Sequence, residues 1–332
     1  MRLVAYDTQS DNDKYTQYAN TLILNDKTAV IMGGISSASR EAIRPLMDRN
    51  NQLYFYNEQY EGGVCDKYVF CTGVVPSQQL DPLLRYALDN GTKKIYMLAA
   101  DYNVGHITGD YVNNHLQGMS MASIDFFPLD VTDFSAVINK VQRSGADTIW
   151  SHLVGGNHIG FYRQLAAAGL QDKFKLLSSS YGLGNEHIVL APNESKGWVV
   201  CYPFFQELTS PAARQFVADW HTRFGNNYPY VTDSANDVWI GWHLWAIAVN
   251  KAGSTERDKV IKALESDLTF DAPEGTVKLD AKTHHLYHSS HVAMANSNHG
   301  FDILKSQDNI PPNPGGQCNL ISNPTLHTQQ TW

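Results

Sequence analysis

The 332-residue chain lacks an excess of basic charge and long apolar runs. It has 25 Lys and Arg against 33 Asp and Glu, a formal net charge of -8. Nucleic-acid phosphates require a basic face, so this balance argues against DNA or RNA as a partner. No run approaches the roughly 20 apolar residues of a membrane-spanning helix. The first residues also lack the basic, then apolar, then small-residue order of a signal peptide.

Cysteine is scarce, and its spacing gives little support to a thiolate metal site or a redox dithiol. The four cysteines are Cys65, Cys71, Cys201 and Cys318, and none forms a Cys-x-x-Cys pair. Cys65 and Cys71 lie close enough in sequence to form a local disulfide in an oxidising compartment. Buried free thiols are an equally good interpretation of both residues.

Motifs of the common enzyme classes are also missing. The chain contains neither a phosphate-binding G-x-x-x-x-G-K-[ST] loop nor a dinucleotide-binding G-x-G-x-x-G turn. Residues 34–38 approach the G-x-S-x-G turn of serine hydrolases but lack its closing glycine. His284, His285, His288 and His291 have a loosely ligand-like spacing, but on a turn before an exposed strand they are predicted to be solvated. We therefore predict neither catalytic residues, nor a cofactor, nor a metal site.

The most informative stretch is a buried strand followed by a serine-rich turn and a helix. Thr28 to Met32 form an apolar run, which the two following glycines end. Ser36 and Ser37 then open a helix that continues through Met47. The unpaired N–H groups and the positive dipole end of such a helix attract polar ligands. An ordinary N-cap without a ligand is the other interpretation.

Apolar strands alternate with amphipathic helices along the first two thirds of the chain, which predicts parallel α/β lobes with both sheet faces covered. Two long helices, a shorter helix at residues 256–264 and two antiparallel strands follow, and residues 306–332 lack periodicity and are predicted to be irregular. The first nine predicted strands are at residues 2–7, 28–32, 52–56, 68–71, 94–99, 121–127, 148–153, 174–178 and 198–202.

Hydroxyl groups, aromatic rings and small residues gather near the ends of these strands. Such groups bind a small polar molecule, and no activated nucleophile stands among them. The candidate ligand-binding residues are Ser36, Ser37, Tyr56, Glu58, Tyr102, Val154, Gly155, Tyr181 and Tyr202.

Six segments together resemble the urea- and short-chain-amide-binding branch of the type I periplasmic binding proteins. The similarity covers about residues 2–300, and it is carried by residues 33–45, 55–62, 72–79, 100–102, 241–246 and 270–275.

This resemblance implies two Rossmann-like lobes of doubly wound parallel sheet that close on a ligand in the cleft between them. Lobe one comprises residues 1–73 and 204–282, lobe two residues 74–203 and 283–305, and residues 306–332 form the tail. The chain is expected to cross between the lobes near residues 71–75, 202–205 and 279–285.

The function implied is that of a substrate-binding protein, periplasmic or lipid-anchored outside the cell, that delivers urea or a small amide to an ABC permease. An intracellular amide sensor of the same fold is the alternative. The family's ligand contacts fall on Ser37, Tyr56, Tyr102 and Val154.

Two candidate residues depart from the family pattern. Ile35 stands where the amide sensor has tyrosine, and Glu58 where it has threonine. A carboxylate in the cleft favours N–H donors, as in urea or a guanidinium-like group, unless Glu58 points to solvent.

The family also has an opening strand and helix before the segment that matches residues 2–6, so the chain is expected to be truncated within lobe one. The missing strand would leave a gap in the sheet between the strands at residues 2–7 and 28–32.

Overall fold

The computed structural model describes residues 2–226, 230–315 and 317–329, in which strands alternate with helices. The helices are α1 (Asn12–Leu24), α2 (Ser37–Asn50), α3 (Pro76–Asp89), α4 (Asn103–Asn114), α5 (Ser135–Arg143), α6 (Asn157–Ala167), α7 (Glu186–Val189), α8 (Pro192–Ser195), α9 (Pro211–Phe224), α10 (Asp233–Ala252) and α11 (Arg257–Leu264), with a 3₁₀ turn at Gln171–Lys173. The strands are β1 (Ile31–Met32), β2 (Tyr54–Tyr56), β3 (Val64–Asp66), β4 (Val69–Cys71), β5 (Lys94–Ala100), β6 (Ser120–Phe127), β7 (Thr148–His152), β8 (Lys175–Ser178), β9 (Trp198–Tyr202), β10 (Thr269–Ala272), β11 (Gly275–Asp280), β12 (His285–Ala295), β13 (Phe301–Ile310) and β14 (His327–Gln329). In the described part of the chain, no helix combines the length and apolar character that a membrane crossing requires.

The strands form two groups, which we call lobe one and lobe two. In lobe one, β1, β2 and β4 run parallel in that order, and β12, β11 and β10 continue the sheet. In lobe two, β6, β5, β7, β8 and β9 run parallel, and β12 and β13 are added antiparallel.

Strand β12 belongs to both groups. Its first residue, His285, pairs with Cys71 of lobe one, whereas His291 to Met294 pair with β9 of lobe two. The third crossing therefore lies inside a continuous strand, beyond the predicted residues 279–285. A strand can continue through the junction because its N–H and C=O groups find partners in both sheets.

Buried side chains cover both faces of each sheet. In lobe one, Phe55 packs in a cluster with Leu244 of α10, whereas its neighbours Tyr54 and Tyr56 share a cluster with Met47 of α2. Successive strand residues point to opposite faces, so each face has its own helical cover. Lobe two repeats this arrangement, with α5 and α6 on one face and α3 and α4 on the other.

The strand predicted at residues 2–7 is not formed. These residues have no regular structure, and Tyr6 instead stacks on Tyr18 of α1 with ring centroids 4.9 Å apart. Most of the segment is exposed, and a short chain segment without a neighbouring strand has no partner for its backbone groups.

The prediction of solvated histidines at 284–291 is also wrong, because β12 runs through the interior. His284, His285, His288 and His291 are all buried, the most accessible being 6% exposed. Each has a polar partner for at least one ring nitrogen, which reduces the cost of burying the ring. The partners are Glu265 for His284, Tyr60 for His285, Glu274 for His288 and Ser306 for His291.

The C-terminal residues are more regular than predicted. Residues 306–310 belong to β13, and β14 pairs antiparallel with β3 of lobe one. A disulfide joins Cys65 to Cys318, so the Cys65–Cys71 pairing is wrong, and Cys71 is a buried free thiol like Cys201. The segment after β13 thus returns from lobe two and is fastened to lobe one, a long-range pairing that sequence spacing does not reveal.

We expect removal of this disulfide to destabilise the protein. Its cysteines are 253 residues apart, and cross-links that close long loops restrict the unfolded chain most. A Cys65→Ser/Cys318→Ser variant should lose about 2 to 5 kcal/mol of unfolding free energy in urea titration. Reductant should lower the melting temperature of the wild type and leave that of the variant unchanged. Equal stability of the two oxidised proteins would contradict a structural role for the cross-link.

Candidate ligand-binding site

A cavity of about 500 Å³ lies between the two lobes, at the carboxyl ends of their parallel strands. Lobe one contributes residues that follow β1 and β2, together with Ser234 from the first turn of α10. Lobe two contributes residues that follow β5, β7 and β8. Open parallel sheets bind their ligands at this edge, because loops and helix N-termini converge there.

The start of α2 forms one wall of the cavity. Ser36 caps the helix by accepting a hydrogen bond from the Ser39 N–H at 3.0 Å. The N–H groups of the first helical turn have no carbonyl partner within the helix, and they carry its positive dipole end. Ile35, which precedes the cap, is 63% exposed and lines the same wall. This wall therefore offers hydrogen-bond donors beside an apolar side chain.

A buried network holds Ser37 from behind. Its hydroxyl donates to Glu61, whose other carboxylate oxygen accepts from Arg40 at 2.8 Å and from Gln329 of β14 at 2.9 Å. Arg40 is fully buried, and its guanidinium lies over the ring of Tyr56 at 5.0 Å. Ser37 and Tyr56 both line the cavity. Through Gln329, strand β14 therefore contacts the Glu61–Arg40 network that holds these two side chains in place.

Tyr56 completes this wall with its ring. Its hydroxyl donates to the carbonyl of Ile35 at 2.8 Å, which ties the end of β2 to the turn before α2. The hydroxyl oxygen keeps acceptor capacity for a ligand N–H.

Glu58 is a buried carboxyl group of the cavity wall. It is 8% exposed and accepts hydrogen bonds from the Ser234 hydroxyl at 2.8 Å and from the Gln59 N–H at 3.1 Å. Burial raises the pKa of its carboxyl to about 7, and the two hydrogen bonds only partly offset this effect. Glu58 does not point to solvent. Its carboxyl group lines the cavity, and with a pKa of about 7 it is partly protonated at neutral pH.

The backbone around Glu58 is closely supported by the first crossing. A Cβ added at Gly73 would lie 2.1 Å from the carbonyl carbon of Glu58, so only glycine fits there.

Lobe two supplies the opposite wall. Tyr102 follows β5, His152 and Val154 lie at the end of β7, and Leu183 and Glu186 follow β8. His152 contacts the Ser179 hydroxyl through Nδ1 at 2.8 Å, and Glu186 accepts from the N–H of Gly182 at 2.7 Å. Burial raises the pKa of Tyr102 to about 12, so its hydroxyl remains protonated at neutral pH.

The lining combines aliphatic walls with acidic groups. Its aliphatic side chains are Ile35, Val104, Val154, Ile159 and Leu183. Among the described residues that line the cavity there is no lysine or arginine, whereas Glu58 and Glu186 supply two carboxyl groups. A ligand with an apolar body and N–H donors matches this surface.

The structure brings most of the predicted candidates together and leaves two apart. The cavity is lined by Ile35, Ser36, Ser37, Tyr56, Glu58, Tyr102, Val154 and Gly155. Tyr181 and Tyr202 do not reach it, because both are buried in the core of lobe two. Tyr181 contacts the Ser195 hydroxyl, and Tyr202 donates to the carbonyl of Tyr181, so each phenol is used within the fold.

Several lining residues are absent from the sequence prediction. They include Gln59, Val104, His152, Ile159, Ser180, Leu183, Glu186 and Ser234. Their position at or after the ends of β2, β5, β7 and β8, or at the start of α10, is the one signal that could have indicated them. Local sequence does not indicate Ser234 as a site residue, because it contacts Glu58 across 176 residues of sequence.

Comparison with known proteins identifies the family. Residues 1–317 match the family model described as "Periplasmic binding protein domain". The chain belongs to this family. The fold is that of a type I periplasmic binding protein, as predicted, with parallel sheets covered by helices.

The solved relatives are solute-binding proteins. One, from an ABC transporter of R. palustris and solved with 4-hydroxybenzoate, has a TM-score of 0.81 at 21% identity, covering 93% of this chain and 86% of that chain. A leucine-binding protein from Thermotoga maritima has a TM-score of 0.81 at 20% identity, covering 92% and 87%. At these identities the likeness shows the fold and does not indicate the solute.

Sequence relatives agree with this family. A "Leu/Ile/Val-binding protein homolog 6" from Brucella melitensis is 22% identical over 285 residues, 84% of this chain and 73% of that protein. A shorter match, 31% identical over 137 residues, is a protein from Geobacillus stearothermophilus named limonene hydroxylase, and covers 41% of this chain and 24% of that protein. None of these four relatives is named for urea or an amide.

We expect Glu58 to make the ligand-free periplasmic binding protein less stable as the pH rises. Its folded pKa of about 7 lies above the ordinary glutamate value of 4.5, so the stabilisation relative to the unfolded chain is complete below pH 4.5 and is lost as the pH rises through 7. Between pH 5 and pH 8 the wild type should lose about 2 to 3 kcal/mol relative to Glu58→Gln. Parallel urea titrations at these two pH values measure the difference.

The matched control is Asp130→Asn, which changes an exposed carboxylate. It should follow the wild type at both pH values. Parallel pH profiles of the wild type and Glu58→Gln would show that Glu58 titrates normally.

Proposed function

We propose that this protein captures a small amide with an apolar substituent and delivers it to the permease of an ABC importer. The observation that carries the proposal is the buried Glu58 carboxyl beside the N-terminus of α2, in a cavity with aliphatic walls. The solute-binding relatives support the importer role, and the lining residues support the class of solute.

A primary amide fits the two kinds of polar group in lobe one. Its carbonyl oxygen can accept from the first-turn N–H groups of α2, and its amino group can donate to Glu58. Charge-assisted hydrogen bonds of this kind are stronger than neutral ones. A solute with only a carboxylate would face Glu58 and Glu186 without a lysine or arginine among the described lining residues.

The apolar substituent is inferred from the lobe-two wall. Urea would leave Val104, Val154, Ile159 and Leu183 without a contact. A branched aliphatic group would cover them and gain about 25 cal/mol for each Å² of apolar surface buried. A substituted amide therefore fits this cavity better than urea.

The disulfide favours the importer over the intracellular sensor of the same fold. Cys65–Cys318 joins the C-terminal segment to lobe one, and such cross-links persist in oxidising compartments. This supports a periplasmic location.

Ligand capture follows from closure of the two lobes. A solute that contacts lobe one and lobe two together favours the closed arrangement by the difference in its affinity for the two states. Tyr102 and Val154 on one side and Ser37 and Glu58 on the other are positioned for such contacts.

A solute panel tests the proposed class. Isothermal titration should be carried out with isovaleramide, its carboxylate analogue isovalerate, leucine, urea and benzoate. Isovaleramide should bind more tightly than urea and isovalerate. Preferential binding of leucine would replace the amide by a zwitterionic amino acid, and preferential binding of isovalerate or benzoate would overturn the argument from Glu58.

The pH dependence tests the role of Glu58 in recognition. Suppose that only the ionised Glu58 carboxyl accepts the amide N–H. The affinity should then rise about tenfold from pH 6 to pH 8, because the fraction of protein with an ionised Glu58 rises by that factor. Glu58→Gln should remove this dependence. A pH-independent affinity in the wild type would exclude a direct contact between solute and Glu58.

A further inference from the structure

A cluster of two carboxylates and a histidine lies on the outer side of lobe one, where the C-terminal strand meets α2. Asp48 is near the end of α2, Asp66 ends β3, and His327 begins β14. His327 and Asp66 are paired residues in the β3–β14 ladder, so the backbone fixes their proximity. One potential ligand atom from each residue lies within 4.8 Å of the other two.

The distances from His327 to the two carboxylates are compatible with a shared metal ion. Nδ1 of His327 lies 2.9 Å from an oxygen of Asp48 and 3.2 Å from an oxygen of Asp66. In a tetrahedral zinc site with bonds near 2.0 Å, neighbouring ligand atoms are about 3.3 Å apart. Two of the three pairs of ligand atoms thus lie near this spacing, and the third pair lies within 4.8 Å.

The hydrogen bonds leave one acceptor of this cluster unsatisfied. His327 Nδ1 is placed to bond with Asp66, and a ring nitrogen carries at most one hydrogen. Oδ1 of Asp48 is buried and has no hydrogen-bond partner among the described residues, although Nδ1 lies beside it. Asp66 is fully buried at its side chain, so its carboxylate oxygens also depend on nearby positive charge.

The charges around the cluster are unbalanced. Arg40 and Arg44 are in contact with Glu41, Glu61 and Asp66, and Asp48 adds a fourth carboxyl beside them. Four carboxyl groups thus lie beside two guanidinium groups.

We propose that Asp48, Asp66 and His327 bind a divalent transition-metal ion of the zinc class and thereby fasten strand β14 to α2 and β3. One imidazole nitrogen and two carboxylate oxygens are ligands that zinc accepts, and the ion supplies the two missing positive charges. His327 and Asp48 retain 33% and 22% side-chain exposure, which leaves water access to a fourth position.

The surroundings orient these ligands. Arg44 donates to the second oxygen of Asp66 at 3.3 Å and to the backbone carbonyl of His327 at 3.2 Å. The imidazole stacks on Tyr68 with ring centroids 5.6 Å apart. Outer contacts of this kind hold metal ligands in place, so the ligand positions are fixed before the ion arrives.

Titration of the untagged, metal-free chain with ZnCl₂ tests the proposal. We expect one zinc ion per chain and a higher melting temperature with zinc, whereas MgCl₂ should have no effect. CoCl₂ should give the visible absorption of a four-coordinate cobalt site without a sulfur band, since Cys65 and Cys318 are joined and Cys71 and Cys201 are buried.

Two variants remove ligands, and a third is the control. His327→Gln and Asp48→Asn should each weaken zinc binding by more than the roughly 10- to 100-fold expected for loss of an outer partner. His106→Gln removes the exposed pair of His106 with Asp101, which lie 2.8 Å apart and are not part of the proposed metal cluster. This variant should bind zinc like the wild type. Circular dichroism without metal checks that each variant is folded.

Absence of zinc binding to the wild type would overturn the proposal and leave a proton shared among the three side chains. Equal zinc affinity of the wild type and a folded His327→Gln variant would overturn it as well, because the ion would then bind elsewhere. The readout does not involve the solute, so failure of the amide proposal leaves this result intact.

Discussion

The structure depends on a single strand that both lobes share. β12 pairs with β4 at His285 and with β9 from His291 onward, so it runs through the interior at the junction. The strand carries polar side chains there, and burial lowers the pKa of His285 to about 3, which keeps its ring neutral. Glu274 accepts from the N–H of Ser289 at 3.0 Å and contacts His288 at 2.9 Å. Since unpaired polar groups in this interior would be costly, these partners hold the strand in one register.

The cavity follows from this junction. Two parallel sheets joined by β12 present the carboxyl ends of their strands to each other, and loops from both meet there. Lobe one contributes polar groups, namely the start of α2 and Glu58, whereas lobe two contributes much of the aliphatic surface, including Val154 and Leu183. A solute that contacts both lobes would favour their closed arrangement. This distribution of polar and aliphatic groups between the lobes supports a ligand with a polar head and an apolar body.

The C-terminal segment links distant parts of lobe one. After β13 in lobe two it returns to lobe one, where Cys318 is joined to Cys65 and β14 pairs with β3. Gln329 reaches Glu61, the residue that accepts from Ser37 of the cavity wall. One side of this short strand thus supports the ligand site, and the proposed metal cluster lies two residues earlier at His327. Fastening of β14 and the position of Ser37 are physically connected through these contacts.

Local sequence was sufficient for the α/β alternation, the capped start of α2 and most candidate positions after β1, β2, β5 and β7, because strand ends and helix caps are encoded by neighbouring residues. Tyr181 and Tyr202 were expected in the cleft but lie in the core of lobe two. Hydrophobic periodicity and residue type do not tell which way a phenol at a strand end faces. The burial of the histidines in β12, the meeting of Ser234 with Glu58, and the pairing of Cys65 with Cys318 were decided only by tertiary structure. Each joins residues that are far apart in sequence or gives a segment a partner strand, and such contacts depend on how the lobes fold together.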